Sequence, residues 1–293
     1  MTFSTPCPAQ KILVLGVTGM LGNTVFRFFS ESPGFDVYGA ARSSGGLKYL
    51  DEALRPRISV GVDVEHQDHL VQLFDRIRPD IVINCIGLVK QLTESANPLV
   101  ALPVNALLPH RLARLSSLVG ARLIHVSTDC VFTGRRGNYR ESDEPDAQDL
   151  YGRSKLLGEV DYDNAVTLRT SIIGHELTST YSLVGWFLAQ EGRVSGFTRA
   201  VFSGLPTVEL ARVIRDYVVP RSGMRGLWHV SSAPIAKYDL LQLIKRAYGR
   251  SNEIIADDRL VIDRSLDSSR FQAETGWQPI SWEALVNAMR LFG

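Results

Sequence analysis

At 293 residues, 22% of them charged and 45% hydrophobic, the chain has the make-up of a soluble globule with material for one large domain or two intimate ones. A net charge of +1 gives no electrostatic reason to expect nucleic acid or an anionic membrane as partner. The three cysteines, Cys7, Cys85 and Cys130, form no C-x-x-C pair, which argues against a disulfide framework or a zinc ribbon and fits a reducing cytoplasm.

The opening MTFSTPCPAQ lacks the basic-then-apolar order of a signal peptide, and the apolar run behind it is too short to span a bilayer, so an unexported protein is expected. KILVLG at 11–16 predicts a buried strand ending in glycine, followed by an amphipathic helix over about 20–30. Gly16, Gly19 and Gly22 spell G-x-x-G-x-x-G. Missing side chains there let the backbone approach a pyrophosphate at a helix N-terminus, with Thr18 adding a hydroxyl and Met20 and Leu21 opening the helix. A tight turn into a helix with no ligand would use the same glycines.

A second strand, 36–41, ends about twenty residues after the last glycine, where an acidic side chain normally meets the adenosine ribose. Here stand Ala41, Arg42, Ser43 and Ser44. An arginine with two serines suits a 2′-phosphate and so NADP(H) over NAD(H), although a solvated arginine after a strand looks the same. A third strand over 57–62 leads to Asp63, placed to accept from the adenine amine, and Val64 beside it. His66 and His69 open the next helix, 67–77, with no third ligand near them for a metal, and are expected to face water.

IVINCI at 81–86 predicts the fourth strand, with Cys85 as a small buried residue, and Ile86 and Gly87 bringing backbone close to a ligand. Lys90 and Gln91 project from the following loop over the presumed site. The 98–119 segment is helical in pattern, but Pro103 and Pro109 predict a broken helix.

The apolar run 123–126 predicts a short strand that delivers Ser127 and Thr128 to its C-terminal end, where open α/β sheets place ligands. YGRSK then sets Tyr151 and Lys155 on one helix face, about 40° apart. A neighbouring ammonium is expected to favour the phenolate of Tyr151 and bring it into range for general acid-base work, with the Thr128 hydroxyl holding a carbonyl oxygen beside it. An exposed helix with a surface lysine carries the same five letters.

A sixth strand is expected over 165–170. Alternation over 11–170 predicts an α/β fold, a doubly wound parallel sheet of Rossmann type, with right-handed crossovers. Past 171 the rhythm loosens into helices near 181–190, 206–219, 237–248 and 282–291 and a strand at 226–230. The expected division is a cofactor-binding domain over 1–170, with returning elements around 200–230, and a smaller discontinuous substrate lobe over 171–293.

Four stretches in order, GVTGMLG at 16–22, VSTDCVFTG through YRESDEP to YGRSKLLGE, LRTSIIG at 168–174 and RSLDSSRF at 264–271, resemble the extended short-chain dehydrogenase/reductases. Within them, the chain is similar to the dTDP-4-dehydrorhamnose reductase-like family. The resemblance implies Thr128, Tyr151 and Lys155 as the catalytic set, Gly16, Gly19, Gly22 and Arg42 around NADP(H), and Asn105 near the nicotinamide. It implies a nucleotide-sugar substrate, with Lys90, Arg199 and Arg264 as candidates for its diphosphate, and a homodimer. The implied activity is reduction of the 4-keto group of a nucleotide-linked 6-deoxy-4-ketohexose. A nucleotide-sugar epimerase and a non-catalytic NADP-binding subunit, like the regulatory subunit of methionine adenosyltransferase, share much of this pattern. Related dehydratases carry Asp-Glu after the threonine; here Asp129 is followed by Cys130, which disfavours elimination.

Overall fold

The computed structural model of the chain describes residues 9–88 and 93–293. Lys90, Gln91 and Cys7 lie outside the described residues. The first half runs β1 (Gln10–Leu15), α1 (Met20–Ser30), β2 (Phe35–Ala41), β3 (Ile58–Val60), α2 (Gln67–Ile77) and β4 (Ile81–Asn84). It continues with α3 (Pro98–Ala101), α4 (Leu108–Leu118), β5 (Arg122–Thr128), α5 (Leu150–Leu157) and β6 (Ala165–Thr170). The second half holds β7 (Ile172–Ile173), α6 (Leu183–Leu188), β8 (Arg193–Phe197), β9 (Ala200–Phe202), β10 (Leu205–Pro206) and α7 (Thr207–Val213). Then come β11 (Gly226–His229), β12 (Ile235–Ala236), α8 (Lys237–Ala247), β13 (Glu253–Asp257), β14 (Ile262–Asp263), α9 (Ser269–Thr275) and α10 (Trp282–Phe292).

The main sheet is parallel throughout, in the order β3-β2-β1-β4-β5-β6-β11. The reversal of strand order between β1 and β4 is the switch point at which a doubly wound sheet opens a crevice for a ligand. β1 shows why the strands read as unbroken apolar runs. Ile12 and Val14 bury into one core with Val25, Phe26 and Phe29 of α1, while Leu13 and Leu15 bury into the other with Leu70, Leu73 and Phe74 of α2 and Leu112 of α4. Both faces are covered, and each such side chain contributes about 1.5–3 kcal/mol.

Pro103 and Pro109 do not break the helix they sit in. The chain runs helically from α3 to α4 through a π-helical segment, Leu102–Leu107, whose wider turn takes up Pro103. β5 is also longer than its apolar core suggests, because pairing with β6 extends through Ser127↔Arg169 and Thr128↔Thr170. It therefore carries Thr128 as its last residue.

The second half returns to the first. α7 packs on α1, with Thr24 Oγ1 donating to Thr207 Oγ1 at 3.0 Å, and β11 extends the main sheet beside β6. Among the described residues three small sheets accompany it: β7 with β10, β8 with β13, and β9 between β12 and β14. Among the described residues no helix is long and apolar enough to cross a membrane.

Candidate active site

The glycine turn after β1 needs its glycines for separate reasons. Gly16 has φ +84°, a left-handed conformation, and a Cβ there would come to 2.9 Å from Ile86 Cγ1, at the end of the neighbouring strand. A Cβ on Gly22 would fall inside the contact radius of the Gly16 carbonyl oxygen, so α1 can dock on the turn only without it. Gly19, by contrast, is exposed at the N-cap of α1, and no acidic residue stands in the first turn of that helix. This leaves unpaired backbone N–H groups at the positive end of an 11-residue helix. Met20 and Leu21 begin the helix, and Thr18 packs against Gly46 in the loop past β2.

Arg42 is exposed directly after β2 and helps hold the Asp63 carboxyl below its ordinary value. That lowering comes first from the Glu65 backbone N–H, 3.0 Å from Oδ1, and then from His66, whose Nδ1 lies 3.1 Å from Oδ2. His69 Nδ1 accepts from the Asp63 backbone at 3.2 Å. His66 is largely exposed, as expected, yet lies against Asp63, while His69 is half-buried; Asp63 is more engaged than expected, with Val64 half-buried next to it. Cys85, past the end of β4, is pushed up to about 12 by burial, which makes it an inert thiol.

Thr128, Tyr151 and Lys155 converge at the ends of β5 and α5. Asp149 caps α5, its Oδ1 accepting from Gly152 at 2.9 Å. A Cβ on Gly152 would strike the Cys130 carbonyl oxygen, so the glycine after the tyrosine lets the helix close onto the Thr128 turn. The Thr128 hydroxyl hydrogen-bonds Tyr151 and accepts from the Cys130 backbone at 3.1 Å. Lys155 is buried, and its ammonium donates to the Val126 carbonyl at 2.9 Å. Burial brings Lys155 down to about 8, with Glu159 the main opposing influence.

One electrostatic expectation is overturned. Tyr151 is pushed up, not down, because burial outweighs everything else and Cys130, Asp129 and Asp149 act in the same direction. The Thr128 hydrogen bond opposes this only in part. Tyr151 is therefore a neutral phenol at pH 7, and Lys155 does not bring it into the phenolate form.

Asn105 sits in the π-helical segment and is buried. Its amide donates to Ser154 Oγ at 3.1 Å and its oxygen accepts from Leu88 N at 3.0 Å. It thereby joins α5 to the loop after β4, where Gly87 keeps space open: a Cβ there would lie 3.6 Å from both Asn105 Oδ1 and Lys155 Nζ.

The family model described as the RmlD substrate binding domain matches residues 10–289. The chain belongs to the RmlD substrate binding domain family. It is 33% identical over 231 residues to a Haloferax volcanii protein named a probable low-salt glycan biosynthesis reductase, a match covering 75% of this chain and 73% of that one. It is 30% identical over 257 residues to methionine adenosyltransferase 2 subunit beta of Danio rerio, covering 82% and 75%. A crystal structure of dTDP-4-dehydrorhamnose reductase from Bacillus anthracis in complex with NADP has the same fold, with a TM-score of 0.78 over 97% of this chain and 99% of that one at 20% identity.

In this RmlD-family chain the side of the site facing the second half carries charges that spacing alone does not reveal. Asp129 is buried, and burial pushes its carboxyl up against the opposing pull of Arg264 and of hydrogen bonds from Cys130, Thr128 and Ser171. Arg264 Nε donates to the Phe132 carbonyl at 2.8 Å. Lys237, the first residue of α8, is lowered by burial and held up by Asp129. Arg264 thus lies near Asp129, and Lys237 joins it with no sequence signal beyond its place at a helix start. Arg199 is exposed between β8 and β9.

The packing of Gly152 makes a direct prediction. Gly152→Ala should move Tyr151 away from Thr128 by about 1 Å and lower turnover by roughly a hundredfold, while cofactor affinity changes little. Steady-state rates alongside fluorescence titration check it.

Proposed function

We propose that the chain reduces the 4-keto group of a nucleotide-linked 6-deoxy-4-ketohexose with NADPH, in deoxysugar biosynthesis feeding a surface polysaccharide or glycan. The observation that carries this reading is the neutral Tyr151 phenol hydrogen-bonded to Thr128, beside buried Lys155, at the C-terminal ends of the main-sheet strands. Binding alone has no use for a positioned proton donor. Membership of the family, and relatives named as reductases, support an oxidoreductase acting on a nucleotide sugar.

The residues present fit NADP(H). The uncapped N-terminus of α1, the left-handed Gly16 and the exposed Gly19 suit a pyrophosphate; Arg42 suits the 2′-phosphate; and the space beside Gly87 lies next to Lys155 and Asn105. When bound, the nicotinamide supplies the hydride. Tyr151 gives its proton to the sugar carbonyl oxygen, Thr128 orients that oxygen, and Lys155 holds the cofactor ribose. Lys237 and Arg264 face the substrate's diphosphate. Contacts there fix the ketone, so a free keto-sugar should be reduced much more slowly than its nucleotide-linked form.

NADPH consumption with dTDP-, UDP- and GDP-linked 4-keto-6-deoxysugars tests the proposal; turnover with at least one is expected. The Arg42 contact should make NADPH bind roughly ten- to a hundredfold more tightly than NADH, from a charge-assisted bond of about 1.5–3 kcal/mol. Arg42→Ala should narrow that ratio, and equal dissociation constants for the two cofactors in the unaltered protein would count against it. A second reading, a non-catalytic subunit, is favoured by the match to methionine adenosyltransferase 2 subunit beta. Tight NADPH binding without turnover on any of these sugars would support it.

A further inference from the structure

Directly behind the catalytic set lies a buried ion pair that the reaction outlined above does not use. Glu159, just past α5, accepts from Ser127 Oγ at 2.7 Å and Arg169 Nε at 2.8 Å on one oxygen, and from Arg169 NH2 at 2.6 Å on the other. Arg169, in β6, is 2% exposed. Its remaining nitrogen donates to His229 Nε2 at 3.1 Å, and His229 Nδ1 donates to the Tyr139 carbonyl at 3.0 Å. The Arg169 guanidinium lies 5.1 Å from the Phe132 ring centre. A buried pair of this kind adds little stability over apolar residues of the same volume, so its value lies in what it orients.

Two successive residues of β5 receive two anchors from α5 and its exit. Val126 O accepts from the Lys155 ammonium and Ser127 Oγ donates a hydrogen bond to Glu159, immediately before Thr128. Lys155 and Glu159 are four apart and meet the same strand end. We propose that Glu159 is a positioning residue that acts through Lys155, as the buried counter-charge that keeps the ammonium charged and docked on β5 for cofactor binding.

The other groups packed around Lys155 cannot fill that role. Cys85 beyond β4 is a neutral thiol, His125 in β5 is held well below its ordinary value by burial, and Tyr151 on the same helix is a neutral phenol. His229 in β11, brought down to about 4 by burial, is neutral as well, and Arg169 carries the wrong sign. His110 in α4 faces His125 and is tied to Tyr162 and the Leu157 carbonyl. Among the described residues Glu159 is the carboxylate placed to act on Lys155.

The test is NADPH affinity from pH 6 to 9.5 by fluorescence titration. In the unaltered protein, affinity falls as pH rises through about 8, where Lys155 loses its proton. In Glu159→Gln that midpoint moves down by about one unit, so affinity drops roughly fivefold at pH 8, approaching about tenfold by pH 9.5, and hardly at pH 6. Lys155→Met removes the pH-dependent limb. Should Glu159→Gln fail to fold, Glu159→Met with Arg169→Met leaves no unpaired buried charge and still moves the midpoint down. An unshifted midpoint in a folded variant, or a limb that survives Lys155→Met, overturns the inference. It rests on the NADPH-binding reading, yet the two fail differently: absence of NADPH binding to the unaltered protein defeats that reading, while normal binding with an unshifted midpoint defeats this inference alone.

Discussion

Tyr151→Phe is expected to slow the hydride step by about a hundredfold or more, the usual contribution of a general acid. The ring still fills its place beside the Thr128 turn, so the change removes the phenol oxygen and its bond to Thr128 and little else. Stability should fall by about 1 kcal/mol, the worth of one such hydrogen bond. NADPH affinity should stay within about twofold, because a group felt mainly in the transition state contributes little to ground-state binding. Burial raises Tyr151, so the phenol keeps its proton through the whole range in which Lys155 titrates. The alkaline limb of activity near pH 8 therefore belongs to Lys155, and Tyr151→Phe should lower the profile without moving that limb. Single-turnover rates across pH check both statements, and unchanged turnover would remove Tyr151 from the mechanism.

Gly22→Ala should instead damage cofactor binding, which Tyr151→Phe spares. Its new methyl group would overlap the Gly16 carbonyl oxygen, which is backbone and cannot swing aside. Helix α1 must back away from the turn, and overpacking of this kind costs about 1–3 kcal/mol of stability. With the helix goes the alignment of its N-terminal N–H groups. Loss of one or two charge-assisted contacts to a pyrophosphate weakens binding by roughly ten- to a hundredfold or more. Gly19→Ala separates the two effects. There the added methyl meets Gly16 O at 3.4 Å, an ordinary contact, and faces outward. It should leave the melting temperature nearly unchanged and weaken only the cofactor. Thermal melts beside calorimetric titration distinguish the two variants; equal melting temperatures for both would contradict this account of the turn.

The strand and helix alternation through β6 was legible because both faces of the sheet are buried, which leaves long apolar runs such as KILVL between polar helix faces. The glycine spacing and YGRSK were legible for a similar reason, since steric and helical constraints act over a few residues. What escaped the sequence depends on contacts between distant segments. Pro103 looks like a helix breaker until the π-helical segment absorbs it and turns Asn105 toward Ser154. Tyr151 and Lys155 share a helix face as their spacing implies, but the sign of the phenol's shift is set by burial against the Cys130 turn, which spacing does not reveal. Asp63 looks available until His66 folds back on it. RVSGF in β8 and EIIAD in β13 are too short and mixed to stand out alone, and they become strands only by pairing with each other. Lys237 gains its place facing Asp129 from the packing of the second half on the first.

The central claim is that this chain delivers a hydride and a proton to a sugar ketone. The most direct measurement uses NADPH deuterated at C4 of the nicotinamide, one turnover with nucleotide-linked 4-keto-6-deoxyhexoses, and mass and proton-coupling analysis of the product. Deuterium bound at sugar C4 in the unaltered protein, and its near absence over the same interval with Tyr151→Phe, is the predicted result. Tight NADPH binding with no deuterium passing to any of the dTDP-, UDP- or GDP-linked sugars would contradict it.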